Sequence, residues 1–206
     1  MTSILSFGGY VPRYRLSRTA IADANRWFAG GMGALAKGER AYANWDEDVI
    51  TMAVAAGRNA LSEQPRPAEV WLASTTSPFA DRQNAGVVAA ALGVGEQVGA
   101  LDIGGSLKSA TSGLLAAARA TGEDHTILLA TAEQRQFKAG STGELTSGDA
   151  AAAVLIGPGD GVAEIVASAQ SSVDFVDHYR ASDKPFDYNW EERWVRDEGF
   201  SRLVPA

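Results

Sequence analysis

The sequence contains no cysteine. A disulfide framework, a thiolate-based metal site and thiolate catalysis are therefore excluded from these 206 residues. Histidine is almost as scarce. His125 and His178 are too few and too far apart in sequence to suggest a histidine-rich cluster, so no metal is expected. No apolar run reaches the roughly 18 residues of a membrane-spanning helix. The opening MTSILSFGGYVPRYR also lacks a basic stretch followed by an apolar one. The default expectation is a cytoplasmic chain with no secretory leader and no membrane partner. Basic residues are in deficit too, 18 against 25 acidic, for a net charge of −7. That disfavours nucleic acid as a partner, because no basic surplus is present to neutralise phosphates. A local anion site built from backbone N–H groups and two or three basic side chains stays compatible with this balance.

Against these absences, hydrophobic residues make up 46% and charged residues 21%. That is ordinary for a globular chain with one sizeable core. Residues 3–11 (SILSFGGYV) read as a strand ending near Pro12, which cannot donate a ladder hydrogen bond. Ser17 is an N-cap for a helix through Phe28, with Ile21, Ala24 and Phe28 on one stripe. GGMGALAK, from Gly30 to Lys37, reads as a loop. Asp46 opens a helix, DEDVITMAVAAGRNAL, whose acidic first turn suits the positive end of the helix dipole. Val49, Met52, Ala53, Ala56 and Ala60 form its buried stripe.

A strand at 69–74 leads through STTSPFADRQN to a small-residue helix, AGVVAAALG. A strand at 98–103 runs into GGSLKSATSGLLAAARA, and HTILLATA is a further strand. Strands alternating with helices at this spacing imply βαβ units and a largely parallel sheet. AAAAVLIG and VAEIVASAQ flank Pro158-Gly159-Asp160-Gly161, which reads as a hairpin-like connection. From about Ser171 the chain becomes aromatic and charged, as an excursion or linker with a short helix around Trp190–Asp197.

The most informative segment is Asp102-Ile103-Gly104-Gly105-Ser106-Leu107-Lys108. A strand, a glycine pair and a helix rich in Ala, Ser and Thr make a tight turn. The residue at the first helical position is expected to enter a pocket where orphan N–H groups stabilise a thiolate or an oxyanion. Glycine-bearing turns of this kind are common, and the pattern is neither G-x-G-x-x-G nor a P-loop.

Several segments, in order, resemble the thiolase superfamily and within it the 3-hydroxy-3-methylglutaryl-CoA (HMG-CoA) synthase type. GGYVPRYRLSRTAIADA is similar to the start of such synthases, and DEDVITMAVAAGRNAL to their next helix. VWLASTTSPFADRQNAGVVAAALG resembles the segment that carries their catalytic glutamate. LDIGGSLKSATSGLLAA resembles their nucleophile turn, and SGDAAAAVLIG the strand closing the first half. The resemblance implies an α/β, thiolase-like layered fold: a mixed, mostly parallel sheet with helices on both faces, the first half of a duplicated fold. It places an amino-terminal domain at 1–170 and a linker toward a carboxy-terminal half at 171–206. It further implies an acyl-CoA-handling acyltransferase, or condensing enzyme, with a coenzyme A thioester as substrate and no resident cofactor. Dimerisation is implied as well.

Three departures accompany the matches. Leu107 stands where the family has its acyl-accepting cysteine, and leucine cannot be acylated. Thr75 aligns with the family acid/base glutamate and cannot exchange a proton near neutral pH. The second half, which supplies the family's histidine, is not in this sequence, and His178 should not be promoted to that role. Catalytic residues therefore stay unassigned, and cysteine-dependent condensation is expected to be lost. Two other readings stand beside this one. The chain could be a CoA-ester aldolase-type subunit working with a zinc-ribbon/OB-fold partner. It could equally be a non-catalytic structural or CoA-binding subunit, or a truncated reading frame, awaiting a second-half partner.

Among the pocket candidates, Ser106 reads as an N-cap more simply than as a substitute nucleophile. Lys108 reads as solvated rather than phosphate-bound, and Asp149 as a turn or strand-entry residue rather than catalytic. Arg13 and Arg15 suit a surface position, as does His178 beside Asp177 and Tyr179. Trp190 and Trp194, four apart, share a face if that segment is helical, which suits packing or a protein contact.

Overall fold

The computed structural model describes residues 2–203. The chain opens with β1 (Thr2–Tyr10), then β2 (Tyr14–Ser17), which leads directly into α1 (Arg18–Asn25). Ser17 caps α1, its hydroxyl accepting from the Ala20 N–H at 3.4 Å. The helix stops short of Phe28, and its buried face is Ile21 and Asn25, not Ala24 and Phe28, which are exposed. The Asn25 side chain donates to the Ile21 carbonyl and to Glu144, satisfying a buried amide that replaces an apolar contact. Residues Gly30–Leu35 form a 3₁₀ helix where a loop was expected; Met32 is the residue it buries.

Next come β3 (Glu39–Tyr42), paired antiparallel with β2, and α2 (Val49–Leu61). The start of α2 is Asp48 rather than Asp46. Asp48 accepts from the Thr51 N–H at 2.8 Å while the Thr51 hydroxyl accepts from the Asp48 N–H at 2.7 Å, a reciprocal capping box. The acidic residues thus precede the helix and do not occupy its first turn. Val49, Met52, Ala53, Ala56 and Ala60 are buried as expected, joined by Ile50, Val54 and Gly57. Such a helix lies in the middle of a core.

The remaining elements are β4 (Glu69–Ala73), α3 (Asn84–Leu92), β5 (Gly99–Ile103), α4 (Ser109–Ala120), β6 (Ile127–Glu133), α5 (Thr142–Thr146), β7 (Ala150–Pro158) and β8 (Ala163–Glu164). Six strands form one sheet in the order β5-β4-β6-β7-β1-β8. β4 pairs in parallel with β5 and β6, and the other neighbours are antiparallel. β1, β4, β5 and β6 consequently run one way. Alternation across the pleat sends Val70, Leu72, Leu128, Ala130, Ala153 and Leu155 to the face covered by α2 and α3. Trp71, Ala73, Leu129 and Ile156 point to the other face, under Ala117 of α4. Helices therefore flank both faces.

Close packing of β1 against α2 is possible because position 8 is glycine. A Cβ there would lie 2.3 Å from the Ala56 carbonyl oxygen. The Pro158–Gly161 segment is not a hairpin. β8 pairs with β1, one strand beyond β7, so the chain crosses β1, with Gly161 against the Ile4 carbonyl. The short two-residue β8 replaces the longer strand expected there.

After residue 170 come a small hairpin, β9 (His178–Tyr179) with β10 (Tyr188–Asn189), and α6 (Glu192–Trp194). A π-helical turn, Val195–Phe200, and α7 (Ser201–Leu203) complete the described chain. The hairpin is tied down by Asp187, whose buried carboxylate meets Arg135 beyond β6 and Arg180 of the hairpin loop. Among the described residues no helix is long and apolar enough to cross a membrane.

Candidate active site

Parallel pairing places Ala73 beside both Ile103 and Thr131, so the loops leaving β4, β5 and β6 begin together at one sheet edge. Carboxyl ends of parallel strands are where such sheets present ligand sites. The loop after β5 is the Gly104-Gly105 turn. Gly105 has φ +81°, a conformation that favours glycine, and a Cβ on Gly104 would approach the Ser74 carbonyl oxygen at 3.3 Å. The turn is therefore pressed against the loop after β4, and the Ser74 N–H donates to the Ile103 carbonyl at 3.0 Å.

Leu107 lies on this turn, 48% exposed. It is not the first helical residue, since α4 begins at Ser109. β5 is the edge strand, so described neighbours flank the turn on one side only. Ser106 does make a capping-type contact, but within the preceding turn. Its hydroxyl accepts from the Lys108 N–H at 3.1 Å and its carbonyl from the Ser109 N–H at 2.9 Å. Lys108 occupies the cap position of α4 without a side-chain cap bond and is exposed.

Thr75 meets a carboxylate that the sequence reading missed. Its N–H donates to Glu133 Oε1 at 2.7 Å and its hydroxyl to Oε2 at 2.9 Å; the Thr76 hydroxyl adds a third bond at 3.0 Å. The Arg180 guanidinium donates to the Thr75 carbonyl from the terminal hairpin. A carboxylate thus sits beside Thr75, carried by β6 and not by the loop after β4. The pairing spans 58 residues, and no local pattern in the sequence marks it. A second missed residue is Asp102. Its carboxylate accepts from the N–H groups of Asn84 at 2.7 Å and Ala85 at 2.6 Å, holding the start of α3 against β5.

Asp149 belongs to a neighbouring place. It is buried, accepts from the Ala43 N–H at 2.9 Å and lies 3.7 Å from the Arg40 guanidinium. Burial pushes its carboxyl above the usual range, while the Ala43 N–H and Arg40 pull the other way. Arg40 and Asp149 line a cleft of about 410 Å³ with Gln134, Arg135, Phe137 and Phe186. Neither Leu107 nor Thr75 is among its described lining residues. His178 is half-buried on the hairpin, its Nδ1 2.8 Å from Asp177. Among the described residues no group of three or more potential metal-ligating side chains gathers.

No protein-family model matches the chain. A hydroxymethylglutaryl-CoA synthase of Aeropyrum pernix is 32% identical over 190 residues, covering 89% of this chain and 53% of the relative. The chain thus spans about half the length of the curated relatives it matches. A solved HMG-CoA synthase structure, complexed with CoA, superposes with a TM-score of 0.81 at 19% identity, covering 99% of this chain and 54% of that one. A 3-oxoacyl-(acyl carrier protein) synthase III of Pseudomonas aeruginosa PAO1 gives 0.66 at 24% identity, covering 77% and 51%. Sequence and fold together place this chain in the thiolase superfamily, as an HMG-CoA synthase-like amino-terminal part.

Proposed function

We propose that this chain handles acyl-CoA thioesters at the carboxyl edge of β4, β5 and β6 without cysteine chemistry. The single observation that carries the reading is Leu107 on an otherwise retained Gly-Gly turn. A hydrocarbon there offers no lone pair to a thioester carbonyl, so acetyl transfer to the protein and the condensation that depends on it are lost. The solved relative complexed with CoA supports a CoA thioester as the ligand class. The family's dimer, and a second-half partner, belong to the same reading. So does a domain at 1–170 followed by a linker at 171–206.

The test is incubation with labelled acetyl-CoA and acetoacetyl-CoA, alongside calorimetry with CoA. Bound CoA without protein-bound label or HMG-CoA is the expected result. Stoichiometric label on this chain would sink the proposal.

Glu133 favours a second reading, a CoA-ester aldolase-type subunit acting with a zinc-ribbon/OB-fold partner. Retro-aldol cleavage needs a base and a carbonyl-polarising group but no acyl-enzyme. Glu133 is a carboxylate in the right neighbourhood, and Thr75 and Thr76 hold it. Turnover of a β-hydroxyacyl-CoA by the reconstituted pair, lost in Glu133→Gln, would favour this reading over the first. Inertness across several such esters would discard it.

A further inference from the structure

Glu133 is held by two consecutive residues. Neighbouring side chains point apart in an extended chain, yet the hydroxyls of Thr75 and Thr76 both donate to Glu133 Oε2, at 2.9 and 3.0 Å. They converge because the peptide group between them is fixed at both ends. Its N–H, on Thr76, donates to the Ser74 hydroxyl at 3.0 Å. Its carbonyl, on Thr75, accepts from the Arg180 guanidinium. Setting the plane of that peptide restrains ψ of Thr75 and φ of Thr76 together, because the unit between them is rigid. The Thr76 hydroxyl also accepts from the Gln134 N–H at 3.0 Å, which leaves its own proton for the carboxylate.

Arg180 reaches this peptide from the terminal hairpin, 105 residues away in sequence. Its side chain is mostly buried, and Asp187 lies 3.9 Å away on the same hairpin loop. Asp187 in turn pairs with Arg135, which follows Glu133 just beyond β6. The contacts close a ring: Glu133 to Thr75, Thr75 to Arg180, Arg180 to Asp187, Asp187 to Arg135, and Arg135 back along the chain to Glu133. A carboxylate offers about four acceptor directions. Oε2 uses two on the hydroxyls, and Oε1 uses one on the Thr75 N–H. The direction left on Oε1 is the one a ligand can use, and Thr75 decides where it points.

We infer that Arg180 is a positioning residue for Glu133: through the Thr75 carbonyl it sets the hydroxyls that orient the carboxylate, so the terminal hairpin and the sheet edge open and close as one unit. Its effect on turnover rests on the reading in which Glu133 is the base of a CoA-ester aldolase-type site. The coupling itself belongs to the chain and needs no substrate.

Amide exchange followed by NMR on the isotope-labelled chain is the test. In the parent, the Thr75 N–H, bonded to Glu133, and the Trp190 N–H, bonded to the Asp177 carbonyl, should share one opening reaction with the same dependence on urea. Arg180→Gln should speed Thr75 exchange about tenfold or more, the factor that a charge-assisted bond supplies. Its Thr75 amide proton should also shift upfield, while Leu72 and Leu128 in the sheet keep their rates. Arg180→Lys, still a cationic donor, should restore most of that shift. With a β-hydroxyacyl-CoA that is turned over, Arg180→Gln should lower kcat about tenfold at unchanged KM, and add no loss in a Glu133→Gln background. Absence of turnover in every form would discard the aldolase reading, and the exchange results would still decide the inference. Separate opening of Thr75 and Trp190 in the parent would overturn it. So would a Thr75 rate and shift unchanged in Arg180→Gln, or additive losses in the double variant. If Arg180→Gln does not fold, the parent measurement decides.

Discussion

The Thr75 hydroxyl donates to Glu133 at 2.9 Å and the Thr75 N–H donates to the same carboxylate at 2.7 Å. Two residues far apart in sequence thereby join the loop after β4 to the end of β6. This places a carboxylate beside the Thr75 hydroxyl. Replacing Glu133 by Ala strands three donors, at a cost of about 1–3 kcal/mol. Urea unfolding should register that loss in Glu133→Ala and a smaller one in Glu133→Gln, which keeps one acceptor. Equal stability of Glu133→Ala and the parent would show that the three bonds contribute nothing.

Position 107 is accessible, so Leu107→Cys should create a chain with one reactive thiol. The turn precedes the N-terminus of α4, whose unpaired N–H groups favour an anion. Alkylation by iodoacetamide followed against pH should therefore show a midpoint below about 8.5, the value for a free cysteine. A midpoint at or above it would mean that the turn does not activate a thiolate as it stands.

Gly8 is the clearance between β1 and α2. Gly8→Ala inserts a methyl 2.3 Å from the Ala56 carbonyl oxygen and 2.5 Å from the Ala60 nitrogen, both backbone atoms that cannot rotate away. A destabilisation of about 3 kcal/mol or more is expected, at the upper end for overpacking. The midpoint of chemical denaturation checks it; a change below about 1 kcal/mol would mean that α2 moves freely on the sheet.

Asp149 gives a pH dependence with a definite sign. Its folded carboxyl titrates above 3.8, the reference value, so in the window just above 3.8 the native state holds a proton that the unfolded chain has released. The stability contributed by this group is fully present below that reference and is lost as pH rises through the raised folded value. Asp149→Asn should flatten this part of the stability profile. Its amide oxygen can still accept from the Ala43 N–H. An unchanged slope in the variant would assign the titration elsewhere.

Asp187 holds the hairpin. Asp187→Ala leaves Arg135 and Arg180 without their shared carboxylate, and the segment after residue 170 should open more often. Limited trypsin digestion should then cut after Arg180 faster than in the parent, with the core helices unaffected. Equal cutting rates would mean that other contacts hold the hairpin.

Local chemistry made much of the scaffold legible. Ser17 was readable as a cap because its hydroxyl acts three residues away, and the small apolar stripe of α2 was readable because helical period and burial coincide. Asp46 misled as the helix start because three acidic residues compete for one cap, and only Asp48 has Thr51 three positions on to complete the box. The Pro158–Gly161 turn misled for a different reason. Turn residues say that the chain reverses, while strand neighbours are chosen by the sheet, which here inserted β1 between β7 and β8.

The sequence by itself determined the absence of a thiol, the leucine at position 107, and the ordered motifs that mark the superfamily. Those facts need no coordinates, since they are statements about which atoms the chain possesses. Only the tertiary structure decided that Leu107 stands exposed on a turn ahead of α4, that Glu133 faces Thr75, and that Asp149 is buried against Arg40. Each depends on strands meeting across tens of residues, where pairing is settled by the burial of one sheet face against α2 and α3 and the other against α4.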